Sequence, residues 1–310
     1  MTTGRTQSAA GLNGIPSSKL ALLRRVENAL RPVRGLAALV LGGSHARGTH
    51  HPLSDVDIGL YYSEAAPFSI ADIREAATSL STNRAPIVTD FYEWGPWVNG
   101  GAWIQTSAGK LDLLYRNVDQ LERVIRDAHR GLSDHHYDQQ PTFGFRSVIY
   151  LGETHVCVPL YDPQGTIARL KREVATYPEA LKRTTIADSL GCAEFTLVHA
   201  RSFAAAGDVY NTVGCMTRIA SYLVQTLFAL NETYFLGDKG VMQTIDTFPL
   251  RPRDYAAKVT AILARPGAGP TELGDSVKIL EALWWEAVDL AGNQYRPRFN
   301  SDGAISDEKR

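Results

Sequence analysis

The chain has 310 residues, with 32 Lys and Arg against 33 Asp and Glu, a net charge of -1, 44% hydrophobic residues and three cysteines. That length suits one large or two medium domains with a substantial core, and the balanced charge excludes a global basic field that would draw the protein onto nucleic acid or an anionic membrane. Cys157, Cys192 and Cys215 are widely spaced; they form neither a CxxC metal site nor a disulfide framework, fit a reducing cytoplasm, and read as small core residues.

Residues 1–16 contain no continuous apolar segment, so they read as a disordered leader rather than a signal peptide or anchor. No run of about eighteen apolar residues occurs, which argues against an ordinary transmembrane helix. From Ser17, "SSKLALLRRVENALRP" repeats Leu20, Leu23, Val26 and Leu30 at helical spacing between a serine cap and Pro32. "LAALVLGGS" is an apolar run short enough for a buried strand and closed by a glycine pair, and "DVDIGLYY" is a second strand. "SIADIREAATSLS", residues 69–81, is helical, with Ile70, Ile73, Ala77 and Leu80 on one side. "APIVTDFYEW" and "AWIQTS" read as strands, and "KLDLLYRN" pairs with the latter as a hairpin across the "SAGK" turn. "VDQLERVIRDAHRG" closes this part as a helix.

Between Ser133 and Pro163 the pattern loses its period and carries aromatics and three histidines, as an irregular connector would. Beyond Gly165 the chain reads as about five helices: "TIARLKREVATY", two long segments within 179–231, "PRDYAAKVTAILARP" and "TELGDSVKILEALWWEAVDLAG". The expectation is an α+β protein with a disordered leader at 1–16, a mixed-sheet domain at 17–132, a connector at 133–164, an all-helical bundle at 165–297 and a disordered tail at 298–310.

The chemistry concentrates in "GGSHARGTHHPLSDVDIGLYY". Strand side chains alternate faces, so Asp55 and Asp57 project together while Val56 and Ile58 turn into the core. Two adjacent carboxylates repel unless hydrogen bonds or a cation compensate, and hard oxygen ligands at this spacing suit Mg²⁺. Asp112, between Leu111 and Leu113, is another charge among core residues; on a neighbouring strand it would bring three carboxylates together, the arrangement that holds two metal ions for phosphoryl displacement. Gly42 and Gly43 let backbone approach a phosphate, Ser44 offers a hydroxyl, and a helix starting at Ser44 or His45 would direct amides at the anion. Arg47, Thr49 and Ser54 can add contacts.

These residues carry a resemblance. "LVLGGSHARGTHHPLSDVDIGLYY" is similar to the signature of the polymerase-β-type nucleotidyltransferase superfamily, in which an apolar strand and a Gly-Gly-Ser turn precede Asp-x-Asp in a second strand. "GKLDLLYR" resembles its third carboxylate strand. The likeness is strongest to stand-alone bacterial members with a helical C-terminal domain, the group of aminoglycoside and lincosamide nucleotidyltransferases. "LFALNETYFLGDKG" is similar to a loop in that group that brings a lysine to the phosphates. The resemblance implies that Asp55 and Asp57 ligate Mg²⁺, that Asp112 completes the metal site or acts as general base, that Gly42, Gly43 and Ser44 hold the triphosphate, and that Arg47, Ser54 and Lys239 contact phosphate.

Plainer readings stand beside these. A GGS turn alone is a turn, a lone DVD is a strand entrance, and Arg47 and Lys239 alone are solvated cations. His50 and His51 are either substrate contacts or solvated loop residues; Glu93 is an alternative base or an exposed acid; Trp94, Trp97 and Trp103 either wall an acceptor cleft between the domains or simply pack. Glu153 and Glu194 either face that cleft or do not. The expected activity is Mg²⁺-dependent transfer of a nucleoside monophosphate, with ATP as default donor, to a hydroxyl of a small-molecule acceptor such as an antibiotic, in the cytoplasm and with no membrane partner; the balanced charge disfavours nucleic acid but leaves room for a local basic groove. The alternatives are transfer to a protein or an RNA end, as in toxin–antitoxin-type enzymes, and a nucleotide-binding regulatory module without turnover.

Overall fold

The computed structural model describes residues 12, 14–82 and 85–299, and Cα packing divides the chain into two compact units, 1–127 with 133–176, and 128–132 with 177–310. The expected leader and tail fall mostly on residues outside those described. Of the leader, Ile15 is buried in the core of the first unit, with Leu12 packed against it.

The first unit opens with α1 (Ser17–Leu30), whose Leu22, Leu23, Val26 and Leu30 are buried. Pro16, not a serine, occupies its N-cap position, and no side chain caps it. There follow β1 (Ala38–Leu41), the five-residue helix α2 (Gly43–Arg47), β2 (Val56–Tyr62), α3 (Ile70–Leu80), β3 (Ile87–Val88), β4 (Gly101–Thr106), β5 (Gly109–Asn117) and α4 (Val118–His129). The stretch expected as an irregular connector holds a two-residue hairpin, β6 (His135–His136) with β7 (Phe145–Arg146), then α5 (Val148–Val156) and β8 (Val158–Tyr161); α6 (Thr166–Glu173) follows and packs in this unit as well.

Six strands form one mixed sheet in the order β3-β4-β5-β2-β1-β8, with β2 and β5 parallel and the other pairs antiparallel. Alternation fixes which face is which. Val56, Ile58, Leu60 and Tyr62 of β2, with Leu111, Leu113 and Tyr115 of β5, join α1 and α3 in the main core; Asp57, Gly59 and Tyr61, with Asp112, Leu114 and Arg116, point to the opposite face. "APIVTDFYEW" gives only the two-residue β3, because the chain turns at Asp90, whose N–H donates to the Glu93 carboxylate at 2.8 Å.

The second unit is helical: α7 (Glu179–Ala205), α8 (Val209–Leu230), the short α9 (Val241–Asp246), α10 (Tyr255–Ala264) and α11 (Pro270–Ala291). Asp208 caps α8 by accepting from the Asn211 N–H. By length and average composition α8 could cross a membrane, although polar residues interrupt it; most of its apolar window is buried, with Met216, Ile219, Leu223 and Leu227 fully inside, as befits a core helix. Trp284 of α11 donates its indole N–H to the Leu190 carbonyl of α7 at 3.0 Å, fixing the register of those two helices. Only Cys157 is a core cysteine; Cys192 is exposed and Cys215 half-buried, and all three are free.

Candidate active site

The glycine turn and the start of β2 are built as one piece. Gly42 is extended and donates its N–H to the Asp57 carbonyl at 2.9 Å, which ties the turn to the strand carrying the acids. Gly43 has φ of 58°, and a Cβ there would stand 1.8 Å from Asp57 Oδ2, so only glycine lets the carboxylate lie against the turn. The helix behind it is one short turn, ended by Gly48 in the left-handed region. Ser44 is half-exposed and Arg47 exposed; the Arg47 Nε donates to the Gly43 carbonyl at 3.3 Å. Ser54 is buried, its Oγ accepting from the His51 N–H at 3.0 Å, so this hydroxyl braces the loop leading into Asp55.

The parallel pairing of β2 with β5 sets Asp57 directly opposite Asp112. Asp55 joins them through a residue the sequence reading passed over. Lys110 Nζ lies 2.9 Å from Asp112 Oδ2 and 3.5 Å from Asp55 Oδ2, so one ammonium binds both carboxylates. The signal was present in the alternation K-L-D, which turns Lys110 and Asp112 to the same face by the rule that pairs Asp55 with Asp57.

The electrostatics follow from this crowding. Burial, then the charges of Asp112, Asp55 and Glu153, push the Asp57 carboxyl up to about 6, with Lys110 pulling the other way. Asp112 is raised by burial, an effect that its bond to Lys110 opposes. Its Oδ1 is buried without a hydrogen-bond partner among the described residues.

The side chains therefore gather around an ammonium instead of framing a ready cage: among the described residues, no group of three or more His, Cys, Asp and Glu side chains is arranged to hold a metal ion. The donor set nevertheless fits a hard divalent cation. Three clustered carboxylates, two of them raised by burial with a further push from their charged neighbours, and an orphaned buried Asp112 oxygen are what such an ion would relieve.

Other predicted residues have structural places. Glu153 pairs with the buried Arg116 through two contacts of 2.9 and 3.0 Å, its charge still reaching Asp57. Glu194, buried in α7, accepts from Tyr295 Oη at 2.5 Å and from the N–H groups of Arg298 and Phe299, so it anchors the end of the helical unit. His50 stacks on the buried His45 with ring centroids 4.6 Å apart, and burial lowers the His45 pKa. His51 Nδ1 accepts from the Leu53 N–H at 3.2 Å. Trp97 is buried against Phe145, whereas Trp103 is opposite Asp112 in the β4–β5 register, 44% exposed and stacked on Trp94 at 5.0 Å. Lys239 belongs to the second unit, exposed in the loop before α9.

Residues 23–96 match the family described as Nucleotidyltransferase domain, a span that holds Gly42 to Asp57 and stops short of Asp112. Residues 150–239 match a Domain of unknown function (DUF4037). No curated protein matches the chain. Among solved structures, a nucleotidyltransferase-like protein from Exiguobacterium sibiricum 255-15 is 12% identical with a TM-score of 0.43, over 90% of this chain and 78% of that one. An aminoglycoside 6-adenyltransferase from Bacillus subtilis is 10% identical with a TM-score of 0.33, over 91% of this chain and 94% of that one.

Proposed function

We propose that the nucleotidyltransferase domain carried by residues 23–96 is catalytically active and moves a nucleoside monophosphate, by default AMP from ATP, to a hydroxyl of a small-molecule acceptor. The observation that carries this reading is the pairing of Asp57 with Asp112 across parallel strands beside the glycine turn, with Asp55 linked to the same group. Mg²⁺ held by Asp55, Asp57 and Asp112 would supply neutralisation of the charge that develops on the phosphates. The turn at Gly42 and Gly43 offers the triphosphate backbone free of side chains, Ser44 a hydroxyl, and Arg47 a charge-assisted contact. Ser54 acts by holding the loop before Asp55, and a phosphate contact by Lys239 rests on the family resemblance alone.

In the transfer an acceptor oxygen bonds to the α-phosphorus, the bond from that phosphorus to the bridging oxygen breaks, and pyrophosphate leaves. The acceptor's proton passes to a general base, which is Asp112 in the arrangement where Asp55 and Asp57 hold the metal without it. Trp103 and Trp94 give the acceptor side a flat aromatic wall next to that base. An antibiotic-like hydroxylated acceptor and a cytoplasmic setting rest on the family resemblance, on the near-neutral net charge and on three unpaired thiols.

Incubation with Mg²⁺, each labelled triphosphate and a pool of hydroxylated small molecules tests this by pyrophosphate release and a nucleotidyl mass increment on the acceptor. Asp57→Asn should abolish both; retained turnover in that variant would overturn the assignment. A nucleotide-holding module without turnover is the second reading, favoured by the ion pair that Lys110 makes with two of the acids. Triphosphate binding without pyrophosphate release over a broad acceptor panel is its signature.

A further inference from the structure

We propose that Lys110 is a built-in counter-ion that competes with the divalent cation for Asp55 and Asp112, so that metal loading requires its ammonium to leave. The inference rests on the metal assignment above. It starts from geometry: a single Nζ contacts carboxylate oxygens from two strands, 2.9 Å from Asp112 and 3.5 Å from Asp55. The Asp112 side chain is only 15% exposed, while that of Lys110 is 43% exposed. The shared acid is thus buried and the cation bound to it is free to swing into solvent.

An ion pair this open adds little to folding stability, so a purely structural purpose explains it poorly. Relief of repulsion explains it well. Three acids crowd one end of the sheet, and ionised carboxylates this close repel one another unless a cation stands between them. An ammonium offers one charge and directional hydrogen bonds; a hard divalent ion offers two charges and prefers several oxygens at once. The two cannot occupy the same carboxylate oxygens together. Lys110 thereby keeps the acids assembled in the metal-free protein and sets the metal concentration at which they are captured. Asp57, which lies against Gly43 and makes no ion pair with Lys110, stays available throughout.

Calorimetric titration of Mn²⁺ into nucleotide-free wild type, Lys110→Met and Lys110→Arg tests the competition. Removing the ammonium should tighten Mn²⁺ binding about fivefold, the worth of an exposed ion pair, while Lys110→Arg, which keeps the charge, should retain wild-type affinity. Equal affinity in wild type and Lys110→Met would overturn the competition and leave the metal assignment standing. Absence of Mn²⁺ binding by all three, even with a non-hydrolysable triphosphate present, would overturn both. Should Lys110→Met not fold, the wild-type protein answers by itself: amine-reactive labelling of Lys110, read by mass spectrometry, should rise as Mn²⁺ is added, and labelling that stays flat overturns the proposal.

Discussion

Asp57→Asn separates the cost of assembling the acids from their use. A carboxyl that titrates near 6 in the folded protein and at its ordinary 3.8 in the unfolded chain costs about 3 kcal/mol when ionised. Because the folded value is the higher one, the folded state holds the extra proton between those two pH values. Stability therefore falls as pH rises through the window from 3.8 to about 6, and the whole penalty is present above it. Asparagine has nearly the same shape and no charge to bury. In EDTA at pH 7.5 the variant should be more stable than wild type by up to about 3 kcal/mol, an increase in Tm on the order of 5–10 °C for a unit of this size. The advantage should shrink towards zero as pH is lowered to 4. Saturating Mg²⁺ should reverse the order, since binding to the native state stabilises wild type and not the variant. Thermal melts across pH 4–8, with and without metal, read both effects. An asparagine variant no more stable than wild type at pH 7.5, or a difference that does not change with pH, would refute the reasoning.

Other positions give independent checks. Gly43→Ala drives a methyl into the Asp57 carboxylate and strains a left-handed backbone; we expect a loss of at least about 1–3 kcal/mol in denaturant melts and weaker triphosphate binding. Glu153→Ala leaves the guanidinium of Arg116 buried without its bidentate partner, which should cost about 2–3 kcal/mol, while Asp57, relieved of one negative neighbour, should titrate lower by NMR. Glu194→Ala removes the acceptor for Tyr295, Arg298 and Phe299; hydrogen exchange should speed at residues 295–299 before any change in the β-sheet. Trp97→Ala should destabilise by about 3–5 kcal/mol and Trp103→Ala by far less, because one ring is buried and the other open to solvent.

The first half of the chain was legible because its signals are periodic. Two-residue alternation located β2, β4 and β5 and the facing of Asp55, Asp57 and Asp112, and helical spacing located α1 and α3. The glycine pair marked a turn whose reason, contact between Gly43 and the Asp57 carboxylate, is tertiary and leaves no trace in the local pattern. The stretch after Ser133 defeated pattern reading for another reason. β8 is four residues long, contains Pro159 and pairs on one side only, so neither alternation nor β-propensity flags it. α5 is buried nearly all round and so lacks an amphipathic stripe. Lys110 was overlooked although its alternation with Asp112 was readable, because a lysine beside a turn ordinarily points to solvent.

The two outer strands of the sheet also bear on how the protein behaves when concentrated. β3 has two residues, and β8 interrupts its own row of donors with Pro159. Among the described residues neither margin presents the long, flat ladder of free amides and carbonyls onto which a foreign strand could add, a construction that works against fibril-type self-association.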